Sequence, residues 1–407
     1  MKFKIQNSSY GFLLLFLLGT IIQLRAQDQK STVDSSLLER INYLEQQMNY
    51  HKSGDDHFMV VGLANFGFSS NKTTNTLNGI STTSKKSNLG DIDQFEFSPM
   101  FLWRHEKKYL MEFEPTFSQN GLGVSWADIS YFAAPNVIIR AGYLVLPFGT
   151  YSKKQAAGWI NKFATDPIGI ADMPTSDYGV EVEGGLPLGD MKMNYDLALS
   201  NGLQLGNDGT VTSGYLVDNN TNKTITGRLG LLPFSNSSLE IGVSGMFGKV
   251  GTEGTSFHNV NGNMYAFDFN YVKTYVPFLV NFKSQYNIVD ISNADYTTAD
   301  EWATNYTFKN HSTSSFTQCS IRPTGIQALH DFELAARYST YNTPSNSTWG
   351  SDQSAFAIGL NYWLSWRSVI KFTYEKYNGN STGSEVLNAF TGITKSNTLY
   401  LQFSIQL

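Results

Sequence analysis

After His57, large apolar residues return at every second position through most of the chain, in rows bounded by Gly, Pro, Asn, Ser or Asp. One row reads Val137, Ile139, Ala141, Tyr143, Val145, and another Met191, Met193, Tyr195, Leu197, Leu199. Later rows are Leu239, Ile241, Val243, then Tyr265, Phe267, Phe269, Tyr271, then Phe356, Ile358, Leu360, Tyr362, Leu364. The intervening positions carry Arg140, Asp196, Glu240, Asp268, Asn270 and Asn361. Period two is the mark of a strand whose two faces meet different surroundings. The final stretch, SNTLYLQFSIQL, has it throughout: Leu399, Leu401, Phe403, Ile405 and Leu407 alternate with Tyr400, Gln402, Ser404 and Gln406. In a soluble sandwich such rows would pack on one another.

The links between the rows choose between a sandwich and a barrel. Long links at residues 69–93, 147–176, 202–223, 249–262, 291–313, 342–352 and 379–395 alternate with tight ones such as HEKK, AAPN, PLGD, SNSS and LSWR. Only SQNG at Ser118 breaks the alternation. The fold class expected is an all-β membrane protein: a closed antiparallel transmembrane β-barrel of about 16 strands over residues 57–407. Its apolar rows face lipid, and the last strand closes on the first near residues 58–68, because an open edge in hydrocarbon leaves backbone groups unsatisfied. Trp103, Trp126, Trp363 and Trp366 are expected in the interfacial girdles.

Before the barrel the period changes. Residues 1–26 have the layout of a secretory signal peptide: Lys2 and Lys4, the apolar run FLLLFLLGTII, and a cut after Ala26. That run is too short to span a bilayer as a helix. In residues 27–56, Leu37, Ile41, Leu44 and Met48 fall on the a/d seam of a short coiled coil, expected as a periplasmic helix and linker. One isolated helix cannot bury that seam, so self-association is expected, with packing on the barrel as the plainer alternative.

Composition agrees with an exported barrel. Charged residues are only 15% and aromatic residues 14%, and the single Cys319 excludes an internal disulfide framework. A net charge of −5 gives no case for nucleic acid. There is no HExxH, GxSxG, P-loop or dinucleotide motif, and the six His are scattered, so no catalytic residue, enzyme activity or cofactor is expected. The carboxylates lack calcium-loop spacing, so no metal site is expected.

Several stretches resemble a known family, the phosphate-selective porins O and P in the form found in Bacteroidetes. They are FSPMFLWRHEKKYLMEFEPTF, VIIRAGYLVLPFGTYSKKQAAGWINK, YDLALSNG, GRLGLLPF, FELAARYSTYN and FAIGLNYWLSWRSVIKFTYEKY. LPFGTY followed by WINK is the most specific of them. The resemblance spans nearly all of the chain from Phe95 onward. It implies a sixteen-stranded outer-membrane porin, usually a homotrimer, that passes small solutes or anions. Partners expected on this reading are outer-membrane lipid and the barrel assembly machinery, which reads a terminal strand of this pattern, usually ending in Phe where this chain has Leu407.

The candidate site is the link at residues 147–176, which has the length and position of a porin loop that folds inward and narrows the lumen. It holds Lys153, Lys154 and Lys162, with Trp159, Ile160 and Phe163 available to pack it to the wall. Arg140, Arg228, Arg322 and Arg337 have inward parity and would extend a ladder favouring anions. Glu96, Glu112, Glu114, Glu181, Glu183 and Glu333 share that parity, and cross-pairing with them would cancel the ladder. A different class of reading is a plugged barrel acting as an envelope structural or interaction protein. The absence of a long apolar segment in the polar loops favours an open lumen.

Overall fold

The structure, a computed structural model, describes residues 56–90, 94–171, 173, 176–213, 218–297, 305–383 and 392–407. The expected signal peptide and the expected seam Leu37, Ile41, Leu44 and Met48 lie outside the described residues.

The strands are β1 (His57–Leu77), β2 (Ile80–Leu89), β3 (Phe95–His105), β4 (Tyr109–Ser118), β5 (Gly121–Ala134) and β6 (Val137–Val145). A single helical turn, α1 (Tyr151–Lys154), lies in the long link before β7 (Ser176–Leu188) and β8 (Met191–Ser200). The next long link carries β9 (Leu203–Leu205) and β10 (Val211–Ser213), and the wall resumes with β11 (Thr224–Leu232), β12 (Leu239–Lys249), β13 (Asn261–Tyr275) and β14 (Phe278–Ile291). After β15 (Tyr296–Thr297) and β16 (Asn305–Tyr306) come β17 (His311–Arg322), β18 (Phe332–Asn342), β19 (Ser351–Ser365), β20 (Ser368–Ser381) and β21 (Gly392–Gln406). Sixteen of these strands form one closed antiparallel barrel, β2 extends the same sheet by pairing with the far end of β1, and β9–β10 and β15–β16 are small separate hairpins.

Closure falls where the terminal pattern puts it. β1 pairs with β3 from His57↔Arg104 to Phe66↔Phe95, and on its other edge with β21 from Leu63↔Gln406 to Leu77↔Gly392. The alternation resolves into two faces: Phe403 is 38% exposed on the outer surface, whereas Ser404 beside it is fully buried inside. The same holds around the wall, with Leu197, Leu229, Phe267, Tyr338 and Phe356 outward and Arg228, Asp268 and Arg337 inward. Outward rows of this kind suit hydrocarbon, because the strands already satisfy their own backbone groups.

Three features differ from the sequence expectation. The link at residues 69–93 is not irregular: β1 continues to Leu77, turns at Asn78 and Gly79, and returns as β2. This hairpin is polar on both faces, so it has no period-two signal. Trp126 and Trp363 do not belong to an outer girdle: their indoles donate inside the barrel, Trp126 to Asp128 (2.6 Å) and Trp363 to Glu333 (2.9 Å). For Trp363 the parity said so, since Tyr362 and Leu364 are the outward residues on either side. Finally, the polar long links are not devoid of a core. Leu203, Leu205, Val250, Phe257, Val260, Tyr296 and Phe308 pack with Leu146 and Phe148 against inward Met246, Met264, Val289 and Ile291. Apolar residues scattered among Gly, Asn and Ser assemble there into one buried cluster over the β8–β14 side.

Candidate functional site

The LPFGTY segment turns the chain inward at the end of β6. Leu146 and Phe148 enter the apolar cluster, and Gly149 takes a left-handed φ of 65°. A Cβ on Gly149 would come within 2.2 Å of the Gln285 amide. That closeness lets the Gln285 Oε1 on β14 accept from the backbone N–H groups of Thr150 (2.9 Å) and Tyr151 (3.0 Å) at the start of α1. The Gly149 N–H donates to Ser244 Oγ on β12 (3.0 Å). Tyr151 then packs on Phe316 and Ile170.

The link continues across the interior to the other wall. Phe163 is fully buried against Ala335 and Ala357 and lies under the Arg337 guanidinium, 4.6 Å from the ring centroid. Lys371 on β20 is 1% exposed and donates to three backbone carbonyls of the link: Gly158 (2.8 Å), Asn161 (3.4 Å) and Phe163 (3.0 Å). Arg337 on β18 donates to Thr165 O and Oγ1 (2.7 Å each) and to Asp166 O (3.0 Å). The Ala164 N–H donates to Thr373 Oγ1 (3.1 Å), Asn361 Nδ2 to Lys162 O (3.0 Å), and Gln94 Nε2 to Ala164 O (2.9 Å). A buried peptide segment leaves carbonyls in need of donors, and these wall side chains supply them.

All three lysines of the link meet carboxylates. Lys153 bonds Glu181, Glu183 (2.7 Å) and Asp196 (3.3 Å). Lys154 reaches Glu240 (3.2 Å), and Lys162 reaches Glu333 (3.1 Å) while lying 4.7 Å from the Trp363 ring centroid. Glu181, Glu183 and Asp196 are spaced closely enough to hold a metal ion, but the Lys153 ammonium occupies the space between them. The wall arginines are paired as well. Arg140 meets Glu183 (3.1 Å), Glu112 and Asp128 (3.5 Å each), and Arg228 meets Asp268 (2.7 Å) and Glu240 (2.9 Å). Arg337 adds Glu375 (3.4 Å) to its carbonyls, and Arg322 faces Asp331 (3.7 Å) near the short-turn end.

Sequence reasoning did not single out Lys371, Gln285 or Lys283. Lys371 had a signal, a lone charge at inward parity between Ile370 and Phe372. Lys283 is buried on β14 with no ion pair among the described residues. On β3, Glu96 accepts from Asn65 (3.2 Å) and Ser98 (2.8 Å), and on β4 Glu114 has no bonding partner among the described residues. β4 and β5 make no hydrogen bond to the link among the described residues.

This barrel is similar in fold to solved outer-membrane channels. The outer membrane channel DcaP of Acinetobacter baumannii aligns with a TM-score of 0.55 at 11% identity, over 88% of this chain and 99% of that one. OmpT of Vibrio cholerae, expressed in the outer membrane, aligns at 0.53 with 10% identity over 88% and 99%. An anion-selective porin from Comamonas acidovorans aligns at 0.53 with 9% identity over 87% and 100%. At these identities the likeness is one of fold. No family model matches the chain, and no curated protein matches it in sequence.

Proposed function

We propose that this protein is an outer-membrane pore for passive diffusion of small hydrophilic solutes, with no enzymatic role, and that residues 147–176 constrict it. The observation that carries this reading is the link bonded across a polar interior, from Gln285 on β14 to Lys371 on β20, inside a wall whose outer face is apolar. Lumen width is then set by a fixed segment rather than by a flexible flap. Similarity of fold to outer-membrane channels supports the same class.

The resemblance to phosphate-selective porins implies a preference for anions carried by Arg140, Lys153, Lys154, Lys162, Arg228, Arg322 and Arg337. Each of these is bonded to a carboxylate, so the ladder presents little free positive field. Our reading is therefore a weakly selective pore. Planar-bilayer recording in a salt gradient tests both parts: stable single-channel steps with a reversal potential near zero are expected. A strongly anion-selective reversal potential overturns the weak-selectivity reading, and absence of steps from folded protein overturns the pore. The buried apolar cluster of the long links favours a second reading, a barrel plugged at its mouth, which the same recording would reveal as silence.

The assembly proposed is a homotrimer in outer-membrane lipid, inserted by the barrel assembly machinery, with Leu37, Ile41, Leu44 and Met48 joining three periplasmic helices. A Leu44→Cys variant in a Cys319→Ser background should crosslink between chains; monomer only, with the barrel intact, removes the bundle.

A further inference from the structure

At the long-loop end of the barrel, four neighbouring strands carry lysines on the lipid-side face. Lys376 of β20 lies opposite Asn397 of β21, Asn397 opposite Lys72 of β1, and Lys72 opposite Lys85 of β2. These residues form one continuous row across the sheet. Lys395 belongs to the next row outward on the same face, opposite Thr74 on one side and Asn378 on the other. All four lysines are exposed. Their parity is that of the apolar rows nearer the barrel's middle, where Phe372, Leu401, Phe68 and Leu89 lie side by side. The strands thus pass from an apolar belt, through Tyr374 and Leu399, straight into a basic row.

Among the described residues the row is uncompensated. None of the four lysines makes an ion pair among the described residues. Asp352, on the same face of β19, lies two rows beyond Lys376, opposite Asn380. Lys72 and Lys85 face each other directly, and like charges opposed in a sheet destabilise it unless something anionic lies between them. Elsewhere on the rim Asp290 meets His311 (2.5 Å), while Lys249 donates to the neutral amide of Asn259 (3.2 Å).

We propose that this row, Lys72, Lys85, Lys376 and Lys395, docks the phosphate headgroup of an acylated outer-leaflet lipid. An ammonium is a compact point charge suited to phosphate. Basic residues just beyond an apolar belt gather anionic headgroups, and each adds to the attraction. Position selects a lipid over a free anion. A phosphate held at this row has acyl chains alongside Phe372, Leu401, Phe68 and Leu89, whereas the inner face of the same hairpin holds Lys86 opposite Asn71. The inference rests on reading the chain as an outer-membrane barrel whose long links face outward.

The test is a titration of purified, folded barrel with bisphosphorylated lipid A, read by native mass spectrometry. Dephosphorylated lipid A and inorganic phosphate serve as comparison probes. The variant replaces all four lysines by Gln, and a control replaces Lys223 and Lys249 by Gln; heat-modifiable migration confirms the fold of each. The bisphosphorylated lipid should bind the native barrel and the control alike, and the four-lysine variant at least about tenfold more weakly. Equal binding of phosphorylated and dephosphorylated lipid overturns the proposal, and is the result expected if Asp91, Asp93 or Glu385, outside the described residues, neutralise the row. Binding unchanged in the variant also overturns it, as does displacement of the lipid by millimolar inorganic phosphate, which would mark a free-anion site. Conductance of the same samples separates this inference from the pore reading: a conducting barrel without lipid preference sinks only the former, and a silent barrel with it only the latter.

Discussion

The terminal strand β21 and the link at residues 147–176 are held in place by opposite means. β21 is fixed by alternation and closure: outward Leu399, Leu401, Phe403 and Ile405 gain by meeting lipid, inward residues by meeting Ser, Thr and Gln, and both edges are paired. The link has no ladder. It is fixed at a few points where a wall side chain satisfies its backbone, chiefly Gln285, Lys371 and Arg337. Strand placement is therefore distributed over many equivalent residues, while link placement is concentrated at a few wall side chains, foremost these three. Damage to the first should abolish the barrel, and damage to the second should leave a barrel with a changed pore.

The largest effect is expected from Leu401→Arg. It puts a charge into the lipid-facing row at a cost of about 2–4 kcal/mol near the midplane, and the heat-resistant folded species should be lost from outer-membrane extracts. Normal insertion would mean that the two faces are exchanged.

Lys371→Met comes next. Three link carbonyls lose their donor, at about 1–3 kcal/mol for each buried group left unsatisfied. The barrel should still fold, protease should cut within residues 156–166, and single-channel conductance should rise. Unfolding of the whole barrel instead would break the contrast between strand and link.

Gly149→Val tests the entry point of the link. The new side chain meets Gln285 and needs a φ that β-branched residues resist, at about 1–3 kcal/mol. Conductance should change less than in Lys371→Met, because the Lys371 and Arg337 anchors remain.

Glu114→Gln is the mildest change. It removes a carboxylate from the wall to which the link is not bonded, so neither folding nor conductance should move much. The cation-to-anion permeability ratio should fall about twofold, the size of a screened charge interaction of about 0.5 kcal/mol. No shift in reversal potential would mean that this wall lies off the solute path.

The same contrast explains what could be read in advance. The barrel was legible because lipid and lumen impose period two on every strand, so the rows from Val137, Met191 and Leu399 fell on the expected faces. The β1–β2 hairpin was not, because it rises beyond the apolar belt and Ser, Thr, Asn and Lys occupy both its faces. In the site, the inward lysines and glutamates were legible as residue types at the right parity. Cross-pairing was foreseeable, but which residue meets which was not: Lys162 and Glu333 lie 171 residues apart, and Lys153 and Asp196 are on different elements. Gln285 left no mark in the sequence, since a neutral amide at inward parity looks like any other lumen residue.

Closure of the ring by β1 on β21 also sets the order of events in folding. Asn71 bonds Thr398 across 327 residues, so the first strand of the wall waits for the last before its second edge is covered. Contacts of such range form late, because the loop entropy they cost comes before any contact rewards it. Until then a growing curved sheet carries two free edges and an apolar outer face, the combination most prone to pairing with other chains. The seam is thus a kinetic bottleneck, and the interval before it forms is the one in which the chain is most exposed to mispairing.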